Sequence, residues 1–156
     1  MAGTEHGAVV LLPIKPRYAT QIMDGGKRVE FRRRSFSRAP EWVVVYASAP
    51  VKRVVGAFRV GSIDAGSPAD LWERYGDVGG IDLASFRAYF AGRESGVALL
   101  VDAVHALATP LALADIDDGL RPPQSHQYVE PGIIRSILLE DGETVHNAFF
   151  DRDLEE

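Results

Sequence analysis

The chain has 156 residues, 46% of them apolar and 25% charged, and no cysteine. That is enough for one domain with its own core and too little for two comfortable ones; it excludes disulfides and thiolate metal sites, and nothing in it requires an oxidising compartment. The formal net charge of −5 argues against a nucleic-acid partner only until it is divided along the chain: residues 1–61 hold 11 Lys/Arg against 4 Asp/Glu, or +7, and the remainder holds 6 against 18, or −12. At physiological salt screening acts over roughly 8 Å, so a basic surface can stand beside an acidic one.

Residues 1–7 are polar, with Glu5 and His6 where a secretory signal has a basic end and an apolar run, and no stretch approaches a membrane span. A soluble, cytoplasmic protein is the expectation. Residues 8–14 are a near-continuous apolar run, short enough for a buried strand. Pro16 suits the first position of a helix, along which Tyr18, Ala19, Ile22 and Met23 share one stripe, and Gly25 closes it. Lys15 and Arg17 stand at the helix entrance, where orphan N–H groups also favour an anion.

Residues 28–33 read as a strand, with Val29 and Phe31 on one face and Arg28, Glu30 and Arg32 on the other. Arg33 and Arg34 follow directly. Glu30 therefore sits among four arginines, placed to orient a guanidinium or, if desolvated, to act as a base. The alternative is a solvated sheet face carrying an ordinary ion pair.

Residues 35–41 form a loop, and the Trp-Val-Val-Val-Tyr run at 42–46 reads as a central strand buried on both faces. After a turn at 47–50, residues 52–63 give another strand, with Val54, Phe58 and Val60 on one face and Gly56 and Gly61 marking bends or close approaches. Ser67 caps a short helix that runs to about Tyr75, and residues 76–80 break it. Residues 82–90 form a second short helix with Leu83, Phe86, Tyr89 and Phe90 as its apolar side. A long mid-sheet strand spans 96–107, and 109–119 is a connection. Residues 121–129, stiffened by Pro122 and Pro123, form an ordered extended loop with polar side chains outward. Ile133, Ile134, Ile137 and Leu138 place a last helix at 131–141. Beyond it Val145, Phe149 and Phe150 alternate with acids, in a tail that packs on the body, joins two copies or stays loose.

Several familiar motifs fail. Gly26-Lys27 resembles the end of a phosphate loop, but Arg28 stands where Ser or Thr must hold magnesium and Gln21 where the first glycine belongs. The acidic run 115–119 has His126 at the twelfth position of a calcium loop in place of a bidentate glutamate. His6, His105, His126 and His146 have no zinc spacing, and no Ser sits in a Gly-x-Ser-x-Gly elbow. No metal or cofactor is expected. His105 reads as a core or edge residue, which leaves His126 in the Pro-Gln-Ser loop as the histidine of interest.

Four pieces in order resemble the ASCH domains, a branch of the PUA-like superfamily: Leu12-x-Ile14-Lys15-Pro16-x-Tyr18, Gly25-x-Lys27-x-x-Glu30-x-Arg32, Tyr46-Ala47-x-Ala49-Pro50 and Pro122-Pro123-Gln124-Ser125-x-x-Tyr128. The resemblance covers roughly residues 8–130, leaving 131–156 as a C-terminal helix and acidic tail. It implies an α+β fold, a partly open mixed β-barrel surrounded by short helices, with a cleft where the signature strand meets the first helix. It also implies an RNA-binding module associated with transcription or translation. Lys15, Lys27, Glu30 and Arg32 would lie in the cleft, with Gln124, Ser125 and Tyr128 on its rim. One branch deacylates N4-acetylcytidine with a Thr nucleophile three residues after the lysine; here that position is Glu30, so the hydroxyl is missing. Another branch is credited with cleaving single-stranded RNA, which needs a base for the 2′-OH and cations for the phosphate, roles open to Lys27, Glu30 and Arg32.

Three readings follow. In the first, Lys15, Arg17, Arg28, Arg32, Arg33 and Arg34 track phosphates of a nucleic acid, RNA before DNA, while Tyr18 or Tyr128 stacks a base. In the second, Lys27 and Glu30 are the catalytic pair of a hydrolase of RNA or of a modified nucleoside. In the third, the chain is a small-ligand sensor or an oligomeric scaffold, a homodimer joined by the tail.

Overall fold

A computed structural model describes residues 7–140. The acidic tail with Val145, Phe149 and Phe150, and the dimerisation expected of it, lie outside the described residues. In chain order the elements are β1 (Ala8–Ile14), α1 (Pro16–Met23), β2 (Val29–Arg32), β3 (Pro40–Ala47), β4 (Arg53–Gly66), α2 (Pro68–Tyr75), α3 (Leu83–Tyr89), β5 (Gly96–Leu111), α4 (Leu113–Ile116), β6 (Gln127–Val129) and α5 (Gly132–Glu140).

The six strands form one mixed sheet in the order β2-β5-β4-β3-β1-β6. β1 and β3 run parallel, because α1 and β2 intervene and supply the long crossover that parallel neighbours require. All other pairs are antiparallel. The sheet curls without closing: β2 and β6 are its free edges.

Three core clusters account for the strand patterns. Val9, Leu11, Val44, Tyr46 and Val54 face one of them, together with Ile134 and Ile137 of α5. Val10, Leu12, Ile14, Val43, Val45 and Phe58 face a second, where α1 inserts Ala19 and Ile22. β1 and β3 are thus buried on both faces, as their unbroken apolar runs demand. The third cluster lies at the β2 edge of the sheet: Val29 and Phe31 of β2 meet Leu71 of α2, Phe86 of α3 and Phe90 just beyond it, with the Phe31 and Phe86 rings edge to face at 5.0 Å.

Some expectations need correction. Val54 does not share a face with Phe58, because the β4 register slips between Val54 and Gly56 and the extra residue reverses the alternation. At Gly56 a Cβ would run into the His105 carbonyl and the Met23 sulfur, so the glycine marks the close approach expected of it. The presumed connection at 109–119 begins inside β5, which extends to Leu111 opposite Val54, and then forms α4. The extended loop after Pro123 ends as β6, its residues 127–129 pairing with β1. Three residues are too few to show a period, and only the free edge of β1 makes them a strand.

Candidate functional site

The site begins with Lys27, two residues past the turn that ends α1. Gly25 takes a φ of +91° there, the left-handed turn conformation that favours glycine, and sends the chain back toward the sheet. The Lys27 amide donates to the Gln21 carbonyl at 3.0 Å, and the Lys27 side chain points inward, 2% exposed. Alternation along β2 turns Glu30, 6% exposed, away from Val29 and Phe31, which face the third core, and Lys27, which precedes the strand, lies beside Glu30. The carboxylate on the polar face of this strand is therefore buried, not solvated.

A buried carboxylate requires partners, and Glu30 has one on each oxygen. Lys27 Nζ lies 3.6 Å from Oε1, and Arg32 Nη1 donates to Oε2 at 3.2 Å. Lys27 Nζ also donates to the Gly79 carbonyl and lies 5.1 Å from the centre of the Tyr18 ring. Burial holds the Lys27 ammonium below its ordinary range; the Glu30 charge and hydrogen bond oppose the shift, and Arg32 adds to it.

Arg32 reaches further. Its Nη1 is 3.4 Å from the Pro13 carbonyl of β1, and its Nη2 donates to the Ser125 carbonyl, just ahead of β6, at 3.2 Å. One guanidinium thus joins β2, at one edge of the sheet, to the strands at the other edge. It clasps the seam where the sheet stays open.

The cleft at that seam has a volume of about 540 Å³. Lys27, Glu30 and Arg32 form its polar floor; Lys15, Arg17 and Tyr18 come from the start of α1, Gln124 from the late loop, and Ser85 and Tyr89 from α3. Five cations, including Arg33, face one carboxylate. The Arg17 guanidinium covers the Tyr18 ring at 4.6 Å, and Arg33 covers Tyr89 at 4.8 Å. Among the described residues no three His, Asp or Glu side chains gather as metal ligands.

The structure does not bring every candidate here. Arg28 is exposed outside the cleft; its backbone joins the Val78 carbonyl to the Val101 amide. Arg34 and Ser125 line a neighbouring pocket. Tyr128 is engaged elsewhere: its hydroxyl donates to the Arg38 carbonyl and accepts from the Arg38 amide, both at 2.8 Å, and the Arg38 guanidinium covers its ring at 4.3 Å. It ties the loop at 35–39 to β6, outside the lining of the cleft.

Tyr89, Ser85 and the 79–80 turn escaped the sequence reading. Tyr89 looked like one more apolar residue of a short helix, and only the docking of α3 beside β2 puts it in the cleft. Gly80, at φ +65°, has no room for a Cβ, which would meet Gln21 Oε1 and lie 3.0 Å from Lys27 Cβ. Its turn closes over the lysine. Gly80→Ala is expected to cost about 1–3 kcal/mol through strain and overpacking, read as a lowered urea midpoint at unchanged slope.

No family model matches the chain. An ASCH domain-containing ribonuclease of Zymomonas mobilis is 34% identical over 119 residues, covering 74% of this chain and 80% of that protein. The chain belongs to the ASCH domain family. The crystal structure of ASCH from Zymomonas mobilis superposes with a TM-score of 0.75 at 30% identity, covering 83% of this chain and 93% of that one. A single-residue mutant of it gives the same TM-score. Large ribosomal subunit protein uL22 of Ureaplasma parvum is 25% identical over 127 residues, 81% of this chain but 40% of that protein. The α+β, PUA-like ASCH fold implied by the four sequence pieces is thus the fold of this chain. No helix among the described residues is long and apolar enough to cross a membrane.

Proposed function

We propose that this ASCH domain binds single-stranded RNA, with one nucleotide seated in the cleft. The observation that carries the reading is the convergence of Lys15, Arg17, Lys27, Arg32 and Arg33 around a single buried carboxylate in an open, tyrosine-walled cavity. Lys15, Arg17 and Arg33 are exposed and serve the phosphates. Lys27 and Arg32 are fixed by Glu30, so their remaining donors are oriented before a ligand arrives. An incoming base displaces the exposed Arg17 guanidinium and stacks on Tyr18. RNA is favoured over DNA by the ribonuclease name of the Zymomonas relative.

Binding of a labelled RNA oligonucleotide between 50 and 200 mM salt tests this. Log K is expected to fall with log salt by about 0.7 per phosphate contact, and a Lys15→Gln/Arg33→Gln variant to lose about 1.4 from that slope. No detectable binding at low salt, or an unchanged slope in the variant, overturns the reading.

The same relative favours a second reading, RNA cleavage. Lys27, with its lowered proton affinity, and Glu30 would then handle the 2′-OH proton while Arg32 meets the charge on phosphorus. Product from labelled RNA with the native chain and none with Lys27→Met, at retained binding, separates cleavage from binding alone.

A further inference from the structure

A second pocket, about 410 Å³ in volume, adjoins the cleft and shares Arg32, Arg33, Tyr89 and Gln124 with it. Its other cations are Arg34 and Arg93, and it has no acidic residue in its lining. Among the described residues Arg33, Arg34 and Arg93 make no ion pair. Arg32 is paired with Glu30, but the other three guanidinium groups around the hollow repel one another unless an anion joins them.

The pocket is built. Arg93 Nη2 donates to the Arg33 carbonyl at 2.9 Å, which fixes the rim of the arginine run. Arg32 is held by Glu30 and by the Pro13 and Ser125 carbonyls. On the far side His126 packs at 4.7 Å on the Phe36 ring and stands edge-on to Tyr128 at 5.6 Å, with Ser125 Oγ 3.5 Å from its Nδ1. Burial, and then the Arg32 charge, keep the His126 imidazole below its ordinary range, so at neutral pH it adds hydrogen-bonding capacity and no further charge.

We infer that this pocket is a phosphodiester subsite, taking the phosphate next to the nucleotide in the cleft, so that the ligand of this domain is an oligonucleotide carrying at least two consecutive phosphates. The inference rests on the nucleic-acid reading above and adds a length requirement to it. A mononucleotide fills the cleft and reaches Arg32 and Arg33 but leaves Arg34 and Arg93 without an anion, whereas a longer strand runs past Arg32 and Arg33 into both pockets.

The test compares uridine 5′-monophosphate with a 5′-phosphorylated tetrauridylate on the native chain and on Arg34→Gln/Arg93→Gln, neither residue being part of the cleft. Tetrauridylate affinity is expected to drop about tenfold in the variant, and its salt slope to fall by about 0.7 for the lost phosphate contact, with the mononucleotide unchanged. Because Arg93 also holds a backbone carbonyl, Arg34→Gln alone is measured in parallel and shows the same effect in smaller degree. An NMR titration supplies an independent readout: the His126 ring resonance, assigned with His126→Gln, moves with tetrauridylate and stays still with the mononucleotide. Equal loss for both ligands, or none for either, overturns the subsite while leaving the cleft reading intact. Failure of the native chain to bind tetrauridylate at all overturns both.

Discussion

Glu30→Gln is expected to lower the unfolding free energy by about 3 kcal/mol. Glu30 is the anion between two cations, one of them 2% exposed, and the amide that replaces it accepts a hydrogen bond without offsetting a charge. The pH dependence identifies the cause. Lys27 already binds its proton less tightly than the ordinary lysine value of 10.5, and without the carboxylate the shift deepens. Between that depressed value and 10.5 the unfolded chain binds more protons than the folded one, so stability rises with pH in this window, and more steeply in the variant. Urea titrations at neutral pH and near pH 10 should therefore show the deficit shrinking as pH rises. A loss under about 0.5 kcal/mol, or one independent of pH, contradicts the pair as described. A Lys27→Met/Glu30→Leu double variant should recover much of the stability, since buried ion pairs are often replaceable by apolar packing, and should still fail to bind RNA. That outcome would show the pair to be kept for binding.

Arg32→Lys is expected to cost about 2–3 kcal/mol and to abolish RNA binding, even though the charge is preserved. The planar fork reaches a carboxylate and two carbonyls on three segments of chain at once, and an ammonium cannot span that spread. Hydrogen bonds from charged groups contribute about 1.5–3 kcal/mol each, and at least one would be lost across the seam. Hydrogen exchange localises the damage: amides of β6 and of residues 124–126 should lose protection ahead of the β3–β4 ladder. Uniform loss of protection, or full binding by the lysine variant, removes the clasp from the account.

Much of this fold was legible from local pattern. The unbroken apolar runs of β1 and β3 announced strands buried on both faces, Ser67 announced the start of α2 through a side-chain cap to the Asp70 amide at 3.1 Å, and Gly25 announced the end of α1. Each signal depends on a few neighbouring residues and on backbone preferences that survive without the rest of the molecule. What failed depended on distant partners. β6 exists because β1 has a free edge, and the β4 bulge exists because β5 lies opposite it.

The candidate site divides in the same way. Alternation along β2 put Glu30 and Arg32 on one face, and the signature lysine joined them. Solvation was beyond its reach, since period two separates the two faces of a strand without saying which is wet.

The amino-acid sequence by itself determined the ASCH family, the placement of its strong strands and helices, and the grouping of Lys27, Glu30 and Arg32. Tertiary structure alone decided that this group is buried at an open seam, that Tyr89 lines the cleft with it, and that Arg28 and Tyr128 lie outside the cleft lining. The physical reason is range: backbone preference and side-chain alternation act over a few residues, whereas burial and charge pairing are settled by segments such as β2 and the loop at Ser125, 93 positions from Arg32 and joined to it by one guanidinium.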